Sequence, residues 1–411
     1  MIRTTCLALC LTLLAAGCVF QDVREQQALI DDHCYIEGRV AGASADAKSI
    51  VVVLAQRTGA QWRIVDHFVL DRPGRWAFGA AAGTYGLAAF EDTNRDLVYQ
   101  PGEPVLALDA TNPIACAARQ RVREVALAIP AGGAARVSGE IDIAALQARS
   151  LDGQVRSTLG QLTAVGERAA LGDARFSADN AEDGLWRPFD FVVNGHAGIY
   201  FLEPYDPAKV PVLFVHGING TPASFDHLIE RLDRRHFQPW VYYYPSGAHL
   251  PVIADHLDQT VAKLQLRHRV TNLAVIAHSM GGLVARGFIE RHAQRGGAGR
   301  IAPLITLSTP WGGHRAAELG VRTAPAVVRV WEDMAPGSEY LRSLFTQPLP
   351  RDTPHYLLFT FNDQNVTMAS QLAMPAQASA ERVYGFDETH TGVLRNAEVS
   401  ALVNALLLRG R

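Results

Sequence analysis

The sequence contains little that would place it across a membrane or on a nucleic acid. After the N-terminus, no stretch of about 18 residues is continuously apolar, so no internal transmembrane helix is expected. The formal net charge is only −3 over 411 residues, which gives no indication of nucleic-acid binding. Cysteine is scarce, with five residues in the chain. The length exceeds that of one ordinary domain and predicts two or three.

The N-terminal segment predicts a targeting signal. Arg3 supplies a short basic region, and residues 6–15 form an apolar core that is too short to span a bilayer. Small residues then precede Cys18, in a pattern that resembles a bacterial lipobox. The resemblance implies a lipoprotein signal peptide over 1–17, lipidation of Cys18 and anchoring in the cell envelope. Val19 at the next position favours the outer membrane, and an ordinary secretory signal is the alternative.

The remaining cysteines form an even pair. Cys6 and Cys10 would leave with the signal, so Cys34 and Cys116 are left in an oxidising compartment. A disulfide between these two residues is expected there, with two buried free thiols as the alternative. Residues 18–33 are polar and predict a tether between the lipid anchor and the first domain.

Residues 34–130 predict a small all-β domain. Short segments with strand character alternate with turns rich in proline, glycine and asparagine, which is typical of a β-sandwich. The predicted strands are Tyr35–Val40, Ile50–Ala55, Trp62–Leu70, Tyr85–Phe90 and Val122–Ile129. The segments Glu37–Val40, Pro73–Phe78 and Ala82–Tyr85 resemble those of a carboxypeptidase-regulatory or transthyretin-like module.

An acidic loop in this domain predicts a calcium site. Residues 92–103 match an EF-hand loop at positions 1, 3, 5, 7, 9 and 12. The predicted ligands are the side chains of Asp92, Asn94, Asp96 and Glu103 and the carbonyl of Val98. Leu97 stands where an EF-hand has its glycine and no helices flank the loop, so a solvated acidic turn is the alternative.

The second half of the chain predicts an α/β domain. Residues 131–187 predict a linker with helices over Ile141–Arg149 and Val155–Arg168. Strands and helices alternate from 188 to 411, which predicts a doubly wound, mostly parallel sheet. Its predicted opening is a hairpin of Phe189–Val193 and Gly198–Leu202. Further predicted helices are Pro222–Arg235, Val252–Arg269 and Asn396–Leu408.

The stretch from Leu273 to Val284 predicts a strand, a sharp turn and a helix, with Ser279 at the turn. A nucleophile elbow needs small residues two positions either side of the serine, because strand and helix nearly touch there. Gly281 meets this requirement, and Ala277 replaces the usual glycine. The turn would lift the serine hydroxyl clear of the sheet, and the helix N-terminus would favour developing negative charge.

An earlier strand predicts the second half of an oxyanion hole. The apolar run Val210–Val215 ends in the segment His216–Gly220, whose two glycines allow a close approach to the elbow. In this arrangement one amide comes from the loop after an early strand and one from the residue after the nucleophile. The backbone N–H groups of Ile218 and Met280 are therefore the predicted donors.

The acid and the base are predicted from two later strand ends. Asp363 follows the predicted strand His355–Phe361, and His390 follows the predicted strand Arg382–Phe386. Serine, acid and histidine in this order predict a Ser279–His390–Asp363 catalytic triad. Asp387 is the alternative acid, and it is disfavoured because it shares a loop with the histidine.

Three motifs resemble those of the α/β-hydrolase lipases and esterases. Ala277–Gly282 resembles the elbow of small bacterial lipases, and Val215–Ile218 resembles their oxyanion loop. Ser308–Gly313 is similar to a turn found in that family and in GPI inositol deacylases. The resemblance covers about 189–411 and implies an α/β-hydrolase fold that cleaves carboxylic esters of lipids or small molecules. That chemistry requires no cofactor.

Several questions stay open at the level of sequence. The same triad would serve acyl transfer or thioester cleavage, and a non-catalytic surface lipoprotein is a further alternative. Residues 311–350 predict either a lid over an acyl pocket or a helical insertion packed on the core. Tyr242, Tyr243 and Tyr244 could line a pocket or be buried by strand geometry. The sequence gives no indication of the oligomeric state.

The lipobox yields a direct test. The variant Cys18→Ser removes the predicted attachment point of the acyl chains. It should release the protein from the membrane fraction, because stable anchoring needs more than one acyl chain at the N-terminus. Fractionation of cells that express each form measures this. A variant that remains as firmly membrane-bound as the natural sequence would rule out the predicted anchor.

Overall fold

The computed structural model describes residues 19–43, 47, 49–59, 61–109, 111–131 and 163–410. The predicted signal peptide, Cys18, the helix predicted over Ile141–Arg149 and the first eight residues of the helix predicted over Val155–Arg168 lie outside the described residues. No helix within these ranges is long and apolar enough to cross a bilayer.

The N-terminal part of the described chain is rich in β-structure. Its strands are β1 Cys34–Ala41, β2 Ile50–Thr58, β3 Gln61–Leu70, β4 Gly74–Ala80, β5 Gly83–Glu91, β6 Val105–Leu106, β7 Ile114–Cys116 and β8 Arg121–Ala128. They form a three-stranded sheet in the order β4-β1-β8 and a second sheet in the order β3-β2-β5-β6, with β7 beside β5. Both sheets contribute to one hydrophobic core, which includes Ile36, Val52, Leu54 and Trp76.

Cys34 and Cys116 are joined as a disulfide in this region, with their Cα atoms 5.8 Å apart. Cys34 begins β1 and Cys116 ends β7, so the bond links the two sheets across their shared core. Both side chains are buried.

In the acidic loop after β5, where the sequence predicts a calcium site, carboxylates accept hydrogen bonds from backbone amides. The buried carboxylate of Asp92 accepts the backbone N–H groups of Asp96 and Leu97, each at 3.0 Å. Glu103 accepts those of Thr93 at 2.7 Å and Gln100 at 3.0 Å. Among the described residues, no three His, Cys, Asp or Glu side chains are grouped to hold a metal ion.

Leu97 occupies the sixth position of the loop, where an EF-hand has its glycine. Leu97 is buried in a hydrophobic cluster with Phe90, and its φ is 64°. The loop is therefore shaped around this side chain and around carboxylates that cap backbone amides. The predicted ligands Asp92, Asn94, Asp96, Val98 and Glu103 lie in this hydrogen-bonded turn, and calcium binding there stays a prediction.

The C-terminal part is built on a mixed, mostly parallel sheet. Its strands are β9 Ala164–Arg168, β10 Gly198–Phe201, β11 Val210–Val215, β12 Phe237–Tyr243, β13 Asn272–His278, β14 Arg300–Leu307, β15 His355–Thr360 and β16 Arg382–Phe386. Their order is β16-β15-β14-β13-β11-β12-β10-β9. From β11 to β16 all pairs are parallel, whereas β10 runs antiparallel to β12. This strand order is that of the α/β-hydrolase fold.

Helices cover both faces of this sheet. They are α1 over 19–31, α2 Ala178–Trp186, α3 Pro188–Val193, α4 Asp226–Glu230, α5 Leu250–His268, α6 Met280–Arg295, α7 Arg315–Thr323, α8 Arg329–Met334, α9 Glu339–Ser343, α10 Met368–Gln371, α11 Met374–Ser379 and α12 Ala397–Arg409. Alternate residues of β11 face opposite ways: Leu213 and Val215 pack towards α5 and α6, and Val212 and Phe214 pack towards α12.

Two predictions at the start of this domain are wrong. Phe189–Val193 lies in α3, because Pro188 and Asp190 in the first turn favour a helix over the strand propensity of the aromatic and β-branched residues. The end of the helix predicted over Val155–Arg168 is strand β9, where Gly166 has a φ of 79°. β9 pairs with β10 in parallel, so the sheet opens without a hairpin.

The sequence predicts a polar tether over residues 18–33. In the structure, residues 19–31 of this segment form helix α1. Its buried face includes Val23, and Gln26 accepts the backbone N–H of Asp190 at 3.0 Å. On the same helix, Arg24 and Gln27 donate to the carbonyls of Pro325 and Val327. The polar composition of this segment hid a narrow face that packs on the α/β domain.

Residues 311–350 form a helical insertion that packs on the core of the α/β domain. Helices α7, α8 and α9 occupy this segment, and Val330, Met334, Tyr340 and Leu341 from it are buried in the main core. Trp311 at its start is buried as well. Tyr242, Tyr243 and Tyr244 are all buried, as strand geometry requires.

The two parts of the chain meet at a buried ion-pair network. Arg295, at the end of α6, donates to Asp258 of α5 at 2.7 and 2.8 Å and to Asp71 of the β-rich region at 2.6 Å. The three side chains are each 10% exposed or less. Ala262 and Leu266 of α5 lie in one cluster with residues of β2, β3 and β5.

Removing the shared cation should destabilise the protein. Arg295→Met removes the guanidinium from two buried carboxylates and leaves Asp258 with the ring of His292 at 3.3 Å, which should lower the free energy of unfolding by about 3–5 kcal/mol. Urea denaturation followed by circular dichroism measures the change. The matched control is Arg119→Met, which removes an exposed pair with Asp32 and should change the free energy of unfolding far less. Equal effects of the two substitutions would contradict a stabilising network at the interface.

Candidate active site

The turn at Ser279 forms a strained elbow between β13 and α6. Ser279 has φ 54° and ψ −130°, a conformation that residues other than glycine rarely adopt. A Cβ atom at Gly281 would lie 2.3 Å from the carbonyl oxygen of Val215, so only glycine allows the helix to approach the sheet this closely. The side chain at position 277 is likewise fully buried. The turn is therefore packed so tightly at positions 277 and 281 that only small residues fit there, as the nucleophile-elbow motif requires.

Three polar side chains from different loops meet at this elbow. The hydroxyl Oγ of Ser279 lies 3.0 Å from Nε2 of His390. The other ring nitrogen, Nδ1, lies 2.7 Å from Oδ2 of Asp363. Because an ionised carboxylate only accepts, the histidine donates from Nδ1 and leaves Nε2 to accept the serine proton. This is the geometry that a serine nucleophile and its base require.

Five donors surround the carboxylate of Asp363. Besides the histidine, Thr360 Oγ1 and Gln371 Nε2 donate to Oδ2 at 3.1 Å each, and the amides of Asn365 and Val366 donate to Oδ1 at 2.9 and 2.8 Å. Burial raises the pKa of this carboxyl, but the hydrogen bond from His390 and those of the two amides outweigh it and hold the pKa below its ordinary value. The group is thus ionised and fixed in orientation.

The alternative acid lies elsewhere on the same loops. Asp387 is exposed, and its Oδ1 accepts a hydrogen bond from the side chain of Asn362. The backbone N–H of Asn362 also donates to the carbonyl of Glu388 at 3.1 Å. These bonds join the loop after β15 to the loop after β16, so Asp387 helps to hold the two loops together.

The predicted oxyanion loop runs directly beside the nucleophile. A Cβ atom on Gly217 would lie 2.9 Å from the Cβ of Ser279. Asn219 has a φ of 53°, which turns the loop back towards the sheet. Within the described part of the chain, the amides of Ile218 and Met280 donate to no other group. Both are free to serve a negatively charged oxygen formed at the serine.

Sequence reasoning missed a histidine that holds the base. His278, just before the nucleophile, contacts the backbone carbonyl of His390 through Nε2 at 2.8 Å, and the two rings lie 4.7 Å apart. Burial lowers the pKa of His278 to about 3, so its ring stays neutral beside the base. The sequence signal for this role was the position of His278 directly before the nucleophile. Gln371 and Thr360 were also missed, and Gln371 had no such signal because it approaches from a separate short helix.

The two candidate acids can be separated by substitution. Asp363→Asn should reduce turnover by about 10⁴-fold, because the histidine loses the support of a charge and of its correct tautomer. Asp387→Asn is the matched control, and its turnover should stay within a few-fold of the unaltered protein. Hydrolysis of a chromogenic ester measures both, with circular dichroism as a check of folding. The reverse pattern of activity would assign the acid to position 387.

Comparison with known proteins matches the central part of this domain. The family described as palmitoyl protein thioesterase matches residues 211–348, which contain the oxyanion loop and the elbow. The lysosomal thioesterase PPT2-B of Xenopus laevis is 25% identical over 126 residues, which cover 29% of this chain and 42% of that protein. The chain thus matches about two fifths of the length of this relative.

Solved structures with a similar fold include lipases and thioesterases. Lipase B of Aspergillus fumigatus is 17% identical, with a TM-score of 0.40 over 52% of this chain and 56% of that one. The type II thioesterase BorB of the borrelidin biosynthetic cluster is 20% identical, with a TM-score of 0.37 over 51% and 96%. The strand order and the elbow carry the assignment. Residues 164–410 therefore belong to the α/β-hydrolase fold that lipases, esterases and thioesterases share.

Proposed function

We propose that this chain hydrolyses carboxylic acyl esters through an acyl-enzyme formed on Ser279. The observation that carries this proposal is the continuous hydrogen-bonded series from Ser279 through His390 to Asp363 at a strained elbow. Such an arrangement activates a hydroxyl that is otherwise a weak nucleophile. A non-catalytic protein would have no need to hold a serine in an unfavourable backbone conformation beside a free imidazole nitrogen.

In the first half of the reaction, Ser279 Oγ attacks the carbonyl carbon of the substrate as its proton passes to Nε2 of His390. Negative charge develops on the former carbonyl oxygen, where the amides of Ile218 and Met280 stabilise it. The histidine then gives its proton to the leaving alcohol, and the acyl group stays on the serine. Asp363 keeps its charge throughout and stabilises the imidazolium.

In the second half, a water molecule attacks the acyl-enzyme. His390 accepts a proton from this water, and a second oxyanion forms in the same place. Collapse of this intermediate returns the proton to Ser279 and releases the carboxylic acid. The mechanism uses only side chains and backbone of this chain, and transfer to an alcohol instead of water would make the same site an acyltransferase.

Thioesters are the second candidate substrates. The family match over residues 211–348 and the Xenopus relative both have thioesterase names. The same attack on a thioester expels a thiol, whose lower pKa makes it a better leaving group than an alcohol. The site geometry serves both, so oxygen esters and thioesters with the same acyl chain form the informative comparison.

We also propose that the chain works at a lipid surface, anchored through Cys18. Phe20 of helix α1 is two residues from Cys18 in the sequence and packs edge-to-face on Trp186, with ring centroids 6.4 Å apart. An acyl chain on Cys18 would thus keep the α/β domain close to the bilayer. Segments that follow strand ends at the catalytic edge expose large apolar side chains, which are Val252, Leu319, Phe361 and Met374.

The proposed activity is tested with matched substrates. A series of p-nitrophenyl esters of rising chain length gives the acyl preference, and oxygen and sulfur esters of choline with one acyl chain separate the two substrate classes. Ser279→Ala should reduce every rate by at least about 10⁴-fold.

A fluorophosphonate probe provides the control, since it labels only an activated serine. Labelling of the unaltered protein and not of the Ser279→Ala variant is the expected result. Absence of labelling in the unaltered protein would favour the non-catalytic alternative. Competing alcohols added to the assay would reveal acyl transfer through new ester products.

A further inference from the structure

Two hydroxyl groups hold the oxyanion loop at both ends. The hydroxyl of Tyr244 donates to the backbone carbonyl of His216, where the loop begins. Ser246 Oγ accepts the backbone N–H of Asn219 at 3.0 Å, three residues later. Both side chains come from the segment directly after β12, the strand next to β11 in the sheet. The amide of Ile218 lies between the two points of attachment.

Tyr244 is held in this position by burial and by stacking. Its side chain is buried, and its ring stacks on that of His216 with centroids 4.2 Å apart and planes 11° from parallel. Burial raises the pKa of Tyr244 well above its ordinary value, so the hydroxyl keeps its proton and can donate. Ser246 is buried to the same degree.

Apart from these two bonds, the carbonyl of Gly217 accepts the backbone N–H of Gly220 at 3.1 Å and lies 2.8 Å from Nδ1 of His216, and these contacts leave the amide of Ile218 unattached. Asn219 is in the left-handed region, which costs free energy for a residue with a side chain. Gly217 passes so close to Ser279 that no side chain fits between them. An oxyanion hole is effective when its donors point at the developing charge before the reaction starts. A loop free to relax would turn the Ile218 amide away from this point.

We propose that Tyr244 and Ser246 are positioning residues that fix the Ile218 amide in the oxyanion hole. This inference rests on the proposed function, since it assigns a role in stabilising the negatively charged intermediate formed on Ser279. Neither residue contacts the reacting atoms. Their effect reaches the reaction through the backbone of residues 216–219.

The test compares turnover with the binding of a transition-state analogue. A trifluoromethyl ketone forms a hemiketal with the serine, and its oxygen anion occupies the oxyanion hole. Tyr244→Phe keeps the stacked ring and removes only the hydroxyl. It should reduce kcat for p-nitrophenyl butyrate by about 10- to 100-fold with KM nearly unchanged, and should weaken the inhibitor by a similar factor. Ser246→Ala should act in the same direction.

Tyr242→Phe is the matched control. Tyr242 is equally buried and stacks on Tyr244, but its hydroxyl donates to the carbonyl of Ile253 and lies away from the oxyanion loop. This variant should lower the melting temperature as any lost buried hydrogen bond does, while kcat and the inhibition constant of the ketone stay unchanged. It separates loss of stability from loss of transition-state binding.

The outcomes distinguish this inference from the proposed function. If the unaltered protein neither hydrolyses esters nor binds the ketone, the proposed function fails. If it does both and Tyr244→Phe and Ser246→Ala retain full kcat and full inhibitor affinity, the positioning role is overturned. A rise in KM alone would instead indicate contact with substrate and would also overturn it. Should Tyr244→Phe not fold, Ser246→Ala carries the same comparison.

Discussion

The close contact between the nucleophile helix and the sheet constrains the rest of the structure. α6 approaches β11 until the space for a Cβ atom at Gly281 is gone, and the chain can turn there only by holding Ser279 in a left-handed conformation. Such a conformation costs about 1–3 kcal/mol and survives only where neighbouring structure imposes it. The amide of Ser279 donates to the carbonyl of Leu307 on β14 at 2.8 Å, which ties the strained residue to the next strand.

Around this turn, protein groups hold both the acid and the base. The carboxylate of Asp363 is surrounded by donors from its own loop, from β15 and from α10. The base is held through its ring by the acid and through its backbone by His278, which belongs to the elbow itself. One rigid element therefore sets the position of the nucleophile and of its base. Fixed dipoles of this kind need no reorganisation when charge develops.

The sequence was informative where chemistry imposes a local pattern. The elbow, the oxyanion loop and the order of Ser279, Asp363 and His390 are short motifs at strand ends, and strand ends are predictable from apolar runs. Gln371 and Tyr244 act through contacts that no spacing encodes, because their partners lie on other elements. These contacts became visible only with the tertiary structure.

Failures of prediction have the same origin. The segment Phe189–Val193 has strand propensity, yet Pro188 and packing against the sheet make it a helix. Residues 19–31 are polar overall, and their narrow buried face is recognisable only beside its partners.

Helix α1 also has a consequence for the order in which the protein folds. Its side-chain bonds reach the carbonyls of Pro325 and Val327, which are 301 and 300 residues further along the chain. Contacts of such high sequence separation form late, because closing so long a loop is entropically costly. During synthesis from the N-terminus, the first helix must therefore wait for this part of its binding surface until most of the chain has been made. The segment before β1 thus remains without these packing partners while most of the chain is being made.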